Sequence, residues 1–211
     1  MPADLIIFDN DGVLVDSEPI VNRLFVEMLG ELGHSLDYEG TLREFSGGTM
    51  AGRLAVIEPR LGWRAPAEFT AEYDRRLRAR LARELRPIPG IRQVLSELSR
   101  PWCVASNAAP EDMCGRLGWA GLLADFAPPM FSATQVPRGK PAPDLFLYAA
   151  ATMGAAPDRC VVVEDSVPGV QAAVAAGMPV LGFARLTSPD ALRAAGAAVF
   201  DDMSLLPELV G

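Results

Sequence analysis

The amino-acid sequence predicts an α/β fold: a doubly wound, Rossmann-like parallel sheet with one inserted all-helical segment. Three observations predict it. Short apolar runs such as Leu5-Ile6-Ile7-Phe8 and Cys160-Val161-Val162-Val163 read as strands buried on both faces, which belong to parallel sheets. From residue 87 onward such runs alternate with helical stretches, the pattern of right-handed β-α-β crossovers. Residues 19–86 hold no convincing buried strand and show helical periodicity instead. A chain of 211 residues can hold one core and an insertion, expected as a core of 1–17 with 87–211 and a helical cap of 18–86.

Taken in order, the first strand is 5–8. Pro19 suits a first helical turn, and Ile20, Leu24, Phe25, Met28, Leu29 and Leu32 recur at helical spacing until Gly33. Ser46-Gly47-Gly48-Thr49 reads as a turn, with Thr49 as N-cap of a helix reaching about Ile57. Residues 66 to about 85 read as one long helix, acidic first and rich in Arg later, as the macrodipole favours. Pro87-Ile88-Pro89-Gly90 marks a boundary. Beyond it come a helix at 91–98, a strand at 102–105, a helix opened by Pro110 and a short strand at 130–131. A helix at 143–153, a strand at 160–163 and an Ala-rich helix at 167–176 follow, the last stopped by Gly177. A strand at 180–183, a helix at 189–195 and an edge strand at 198–200 complete the pattern.

Half the residues are hydrophobic and 22% are charged, a globular composition. The formal net charge of −8 argues against a nucleic-acid or anionic-membrane partner. The Arg-rich stretch 75–86 reads as a solvated helix face, because acids flank it. No signal peptide or membrane-spanning run is evident, so the cytoplasm is the expected location. Cys103, Cys114 and Cys160 lack metal-ligand spacing and are expected as small core groups in a reducing compartment. His34, the single histidine, reads as a surface or cap residue, which leaves no Ser-His-Asp triad. Against 18 arginines stands one lysine, Lys140; a site needing a compact ammonium beside a carboxylate would make that distinction.

Three strands end in polar residues: Asp9 with Asp11, Ser106 with Asn107, and Glu164 with Asp165. Lys140 lies in a loop before a helix. In a parallel sheet these loops share the rim at the carboxyl ends of the strands, where ligands bind. Asp9 and Asp11 would face the same way if the strand geometry runs on past Phe8. Acids in such numbers repel unless a cation holds them. The set fits phosphoryl transfer to an aspartate: one carboxylate attacks phosphorus, a second acts as acid and then base, and a hard oxygen-seeking Mg²⁺ neutralises the cluster. Ser106 and Asn107 would hydrogen-bond phosphate oxygens, and Lys140 would supply positive charge.

The motifs Asp9-x-Asp11-Gly12-Val13-x-x-Asp16-Ser17-Glu18, Ser106-Asn107, Gly139-Lys140-Pro141-x-Pro143 and Glu164-Asp165-Ser166-x-x-Gly169 occur in that order. Together they resemble the haloacid dehalogenase-like superfamily, in its phosphoglycolate phosphatase and β-phosphoglucomutase branch, over essentially the whole chain. The resemblance implies Asp9 as nucleophile and metal ligand. It implies Asp11 as general acid/base, with its backbone carbonyl on the metal, and Asp165 as ligand with Glu164 as ligand or support. Ser106 and Lys140 would hold the transferring phosphate, backed by Asn107. Asp16, Ser17 and Glu18 would form the flap and hinge. Substrate selection would fall to the cap stretch 46–53, with Gly47 and Arg53 as candidate contacts.

The superfamily's dehalogenases lack the second aspartate, so Asp11 disfavours dehalogenation. Mutases of the branch carry a His and an Arg in the cap; the corresponding positions look like Val21 and Met50, leaving Arg53 or Arg23 to grip a second phosphate. Asn10 stands where an apolar residue is commoner, and its side chain is expected to face away from the metal. The leading reading is a Mg²⁺-dependent phosphatase for a small sugar, sugar-acid or polyol phosphate, acting as a monomer or weak homodimer. The pattern around residues 87–108 looks like sugar-acid phosphatases of the 6-phosphogluconate type. A sugar-phosphate mutase is the alternative. A receiver-like signalling module is a third reading, disfavoured by Asp11 and by the insertion.

Overall fold

The computed structural model describes residues 3–45 and 48–210. Six parallel strands form one sheet: β1 (Leu5–Phe8), β2 (Trp102–Ser106), β3 (Met130–Ser132), β4 (Cys160–Glu164), β5 (Val180–Phe183) and β6 (Ala198–Phe200). Their spatial order is β3-β2-β1-β4-β5-β6, so the first strand lies inside and the last is an edge, as expected. Side chains alternate between faces with period two. Ile6, Phe8, Val104 and Val163 join one apolar layer. Leu5, Ile7, Cys103, Ala105 and Val162 join the other. Both layers are covered, which is why these strands read as continuous apolar runs.

Helices α1 (Glu18–Glu31), α2 (Tyr38–Phe45), α3 (Met50–Leu61) and α4 (Phe69–Glu84) fall between β1 and the rest of the sheet. They enclose a separate cluster centred on Phe25, whose ring meets Phe45, Phe69 and Tyr73 edge-on at 6.1–6.5 Å. Thr49 caps α3 by accepting from the Gly52 amide, as its position predicts. The α4 helix begins at Phe69, three residues after Pro66, and α2 was not legible in the sequence. The Arg-rich face of α4 is laced to acids, Arg75 to Glu72 at 2.7 Å and Arg76 to Glu31 at 2.8 Å, which fits a solvated face. The two linkers into the helical layer run side by side: the Asp16 amide donates to the Arg86 carbonyl and the Ile88 amide to the Leu14 carbonyl, each at 2.9 Å.

After α4 the chain forms α5 (Ile91–Glu97), α6 (Pro110–Trp119), α7 (Leu122–Phe126), α8 (Asp144–Thr152), α9 (Val167–Ala175), α10 (Pro189–Ala195) and α11 (Leu206–Val210). Helices α5 and α6 cover the Phe8 face, while α8, α9 and α10 cover the Ile7 face. Cys103 and Cys160 are buried as expected, but Cys114 is exposed on α6. His34 is half-buried against Trp63, ring centroids 5.1 Å apart. No helix among the described residues is long and apolar enough to cross a membrane.

Candidate active site

Register brings the rim together. Phe8 of β1 pairs with Val104 of β2 and Val163 of β4. One residue further on, Asp9, Ala105 and Glu164 therefore stand level at the ends of three adjacent strands. The ladder extends to Asp9, whose amide donates to the Val163 carbonyl at 2.9 Å. The Lys140 ammonium sits across this level. It donates to Asp9 Oδ1 at 2.6 Å, Glu164 Oε1 at 2.6 Å and the Ala105 carbonyl at 2.8 Å, so all three of its N–H bonds are used. The Phe146 ring of α8 lies 4.8 Å from the nitrogen, close enough for a cation–π contact. Only 4% of the Lys140 side chain is exposed.

Asp9, Glu164 and Asp165 each offer an oxygen within 4.8 Å of the others. Two glycines make room for this. A Cβ on Gly12, which has φ of +82°, would stand 2.0 Å from Asp165 Oδ2. A Cβ on Gly169 would stand 1.9 Å from the Glu164 carboxyl carbon. Glu164 is fixed further at Oε2, which accepts from the Asp165 and Ser166 amides and the Ser166 hydroxyl. Burial raises Asp9 from the usual carboxylate range to about 7, against the lowering pull of Lys140, and Glu164 pushes in the same direction as burial. Asp165 is raised well above its ordinary value, first by burial and then by Glu164 and Asp9. Burial alone would lower Lys140; the charges of Asp9 and Glu164 outweigh it and hold the ammonium above its ordinary value. Fully ionised, the three acids would exceed the one ammonium by two negative charges, and the raised Asp9 and Asp165 are the response to that excess. Three hard oxygen donors with that excess fit a divalent cation such as Mg²⁺.

Asp11 does not follow Asp9. The expectation that both face the same way fails because the strand ends at Phe8. The Asn10 carbonyl accepts from the Leu14 and Val15 amides at 3.0 and 3.1 Å, which curls the chain into a turn. The Asp11 carboxylate accepts from the Ser17 hydroxyl at 2.5 Å on one oxygen and from the Arg116 guanidinium on the other. Arg116 comes from α6, on the opposite face of the sheet from Phe146. Asn10 leans on the same carboxylate at 3.2 Å, and its own buried Oδ1 has no hydrogen-bond partner among the described residues. Asn10 is fully buried, does not line the cleft and is not part of the Asp9, Glu164 and Asp165 cluster.

These groups open into a cleft of about 510 Å³ between the rim and helices α1, α3 and α4. Ser106 lines it, and its hydroxyl oxygen accepts from the Ala108 amide at 3.2 Å. Arg53 also lines it with only 2% of its side chain exposed. Its guanidinium donates to Asn22 Oδ1 at 2.7 Å, lies 3.5 Å from Glu18 and faces the Phe25 and Phe45 rings at 5.8 and 5.9 Å. A larger, shallower hollow of about 710 Å³ lies between α3 and Trp63, away from the acids.

A family model for haloacid dehalogenase-like hydrolases matches residues 3–177. The chain belongs to the haloacid dehalogenase-like hydrolase family. Over 210 residues it is 34% identical to the 6-phosphogluconate phosphatase of Escherichia coli K12, covering 98% of this chain and 94% of that protein. Over 177 residues it is 33% identical to a fructose-1-phosphate phosphatase of the same bacterium, covering 82% and 92%. In three dimensions it matches a haloacid dehalogenase-like protein of unknown function from Agrobacterium tumefaciens, with TM-score 0.91, 40% identity, and 99% and 97% of the two chains covered. Family and relatives together make the chain a phosphatase.

In this haloacid dehalogenase-like phosphatase the structure groups Asp9, Glu164 and Asp165 within 4.8 Å, joins Lys140 to the first two, and sets Ser106 in the same cleft. Asp11 faces the same cleft from its other side. Asn107 backs the Lys140 loop. Its amide donates to the Lys140 carbonyl at 3.1 Å and its oxygen accepts from the Lys140 amide at 2.9 Å. These two bonds bracket the Lys140 loop, and the second N–H of the amide is left over on the cleft wall. Gly47 lies outside the described residues. Val21 and Met50 line the cleft, whereas Arg23 points to the Tyr38 ring at 5.7 Å. Sequence reasoning missed Arg116, an arginine in mid-helix with no motif around it. It also missed Asn22 and Tyr73, which read as ordinary helix residues.

Proposed function

We propose that the chain hydrolyses the phosphate monoester of a small sugar, sugar acid or polyol through an aspartyl-phosphate intermediate on Asp9, with Mg²⁺ held by Asp9, Glu164 and Asp165. The Asp11 carbonyl is the further donor that the family resemblance implies. The observation that carries this reading is the state of Asp9. One of its oxygens is pinned by Lys140, while the other makes no hydrogen bond among the described residues and the residue borders the cleft. When bound, the ion neutralises the acids and draws charge from the phosphate oxygens.

The chain's own groups then have distinct tasks. Asp9 is oriented for attack because Lys140 fixes one oxygen and the strand register fixes its backbone. Ser106 offers its hydroxyl hydrogen to a phosphate oxygen, since its oxygen is already an acceptor for Ala108. Asp11 protonates the departing alkoxide and later takes a proton from the water that releases phosphate. Helices α1, α3 and α4 cover the cleft and limit water. Residues 18–86 act as a cap, turning on the paired linkers at Asp16 and Arg86. Arg53 is not a grip for a second phosphate, because Glu18 lies against its charge and two aromatic rings enclose it; this favours a hydrolase over a mutase.

The test is release of inorganic phosphate from a panel of phosphorylated sugars, sugar acids and polyols, with Mg²⁺ and with EDTA. Borohydride trapping, which reduces an acyl phosphate at residue 9 to homoserine, reports the intermediate by peptide mass. Wild-type turnover by Asp9→Asn, or an isomerised ester with no free phosphate, would overturn the proposal.

A further inference from the structure

Among the described residues three cations line the cleft: Lys140, Arg53 and Arg116. Lys140 is bonded to Asp9 and Glu164, which stay in place through the reaction. Arg53 is enclosed by Asn22, Glu18 and two phenylalanine rings. Arg116 differs, because its partner is Asp11. No Asp11 oxygen belongs to the cluster that Asp9, Glu164 and Asp165 form. To serve a leaving oxygen bound at Asp9, the Asp11 carboxylate must swing away from Arg116 and Ser17.

That movement empties a seat. What remains is a guanidinium with 19% of its side chain exposed and the Ser17 hydroxyl, both on the cleft wall. A partly buried charge that loses its partner is costly to leave bare. The acids nearby are poor replacements. Asp74 is exposed, and Asp112 is half-exposed and lies 3.7 Å from Arg78. The seat already accommodates a carboxylate, that of Asp11, between a guanidinium and a hydroxyl.

We propose that Arg116, with Ser17, is the specificity-determining seat for a carboxylate on the substrate, which takes the place Asp11 vacates. The substrate class is then a phosphorylated sugar acid, with its ester at Asp9 and its carboxylate at α6. Exchange of one carboxylate for another couples recognition to release of Asp11. A neutral ester would leave Arg116 unpaired when Asp11 moves, so discrimination appears in kcat as well as in KM. The inference rests on the phosphatase reading with Asp11 as acid and base.

The test compares matched pairs that differ only in carboxylate against hydroxymethyl: 6-phosphogluconate with sorbitol 6-phosphate, and 4-phosphoerythronate with erythritol 4-phosphate. The full chain is assayed with Mg²⁺. The wild type should prefer the acid of at least one pair by about tenfold or more in kcat/KM. Arg116→Met should lower both members of that pair, because Asp11 loses an orienting partner, but the acid by about tenfold more, bringing the ratio near one. Arg116→Lys should keep part of the preference, and Ser17→Ala should reduce it by about threefold. An acid-to-polyol ratio of one or less in both wild-type pairs would overturn the inference, as would a ratio that Arg116→Met leaves unchanged. If Arg116→Met does not fold, the wild-type ratios and Arg116→Lys still decide. Turnover confined to neutral sugar phosphates sinks the carboxylate seat alone; no phosphate release from any ester sinks the phosphatase reading beneath it.

Discussion

Replacing Lys140 by methionine keeps the stem and the contact with Phe146 but removes the ammonium from between Asp9, Glu164 and the Ala105 carbonyl. All three groups at that contact are buried: the side chains of Lys140, Asp9 and Glu164 are 4%, 12% and 0% exposed. Breaking a buried ion pair from one side costs about 3–5 kcal/mol. Part of this is recovered at neutral pH, because Asp9 already sits at about 7 and takes up a proton once its partner is gone. A net loss of about 2–4 kcal/mol corresponds to about 5–15 °C in Tm for a chain of this size. The three tryptophans allow the melt to be followed by intrinsic fluorescence in EDTA. The loss should be larger near pH 7.5 than near pH 5, where protonated carboxyls need no counter-charge, and Mg²⁺ should restore more stability to the variant than to the wild type. A shift below about 2 °C at both pH values would refute the assignment of Lys140 as the compensating charge. Lys140→Arg is expected to lose nearly all activity. The slot that fits an ammonium against three acceptors and a ring 4.8 Å away has no room for a planar fork.

Three further outcomes follow from the geometry. Gly169→Ala should lose about 2–4 kcal/mol in urea unfolding and weaken Mg²⁺ activation, although alanine normally gains about 1 kcal/mol in a helix; the new Cβ would overlap Glu164. A more stable, fully active variant would contradict this. Metal-free protein should lose stability as pH rises from about 4 through about 7. The folded-state value of Asp9 is raised to about 7, so its contribution is complete below the unfolded value and is lost above the folded one, and Asp165 shifts in the same direction. Melting curves at several pH values in EDTA and in Mg²⁺ check it; the increment from Mg²⁺ should grow with pH, and a flat increment would count against the acid cluster as the binding site. Asn10→Leu should raise Tm by about 2–4 °C by removing a buried acceptor without a partner, and a lower Tm would show that the Asn10 contact with Asp11 outweighs it.

What the sequence disclosed depended on the range of the interaction. The strands were legible because a strand covered on both faces must be apolar throughout, as in Leu5-Ile6-Ile7-Phe8. Their polar ends were legible as one rim because parallel strands place those ends together. The α2 helix was not legible, because only Thr41 and Phe45 of its eight residues are buried, too few to set a period. The contacts of Asp11 were lost for a related reason. They depend on a turn closed by Asn10 and on an arginine 105 positions away, and neither leaves a local pattern.

The same contrast bears on how the site divides its work. The Asp9 face is specified by register: three strand ends, one ammonium, and two glycines that admit the carboxylates of Glu164 and Asp165. The backbone of Asp9 is held there by the β1–β2 and β1–β4 pairing beside it. The Asp11 face is built from a turn, a linker hydroxyl and a helix side chain next to the cap, with Arg78 of α4 lying over Trp119 of α6 at 5.7 Å. It can rearrange with no loss of sheet pairing. A group that attacks a fixed phosphorus needs the rigid face. A group that must serve a leaving oxygen and then a water needs the mobile one. If Asp11 leaves Arg116 during turnover as proposed, substrate choice would fall on that face, since only there would the occupant of a charged seat change.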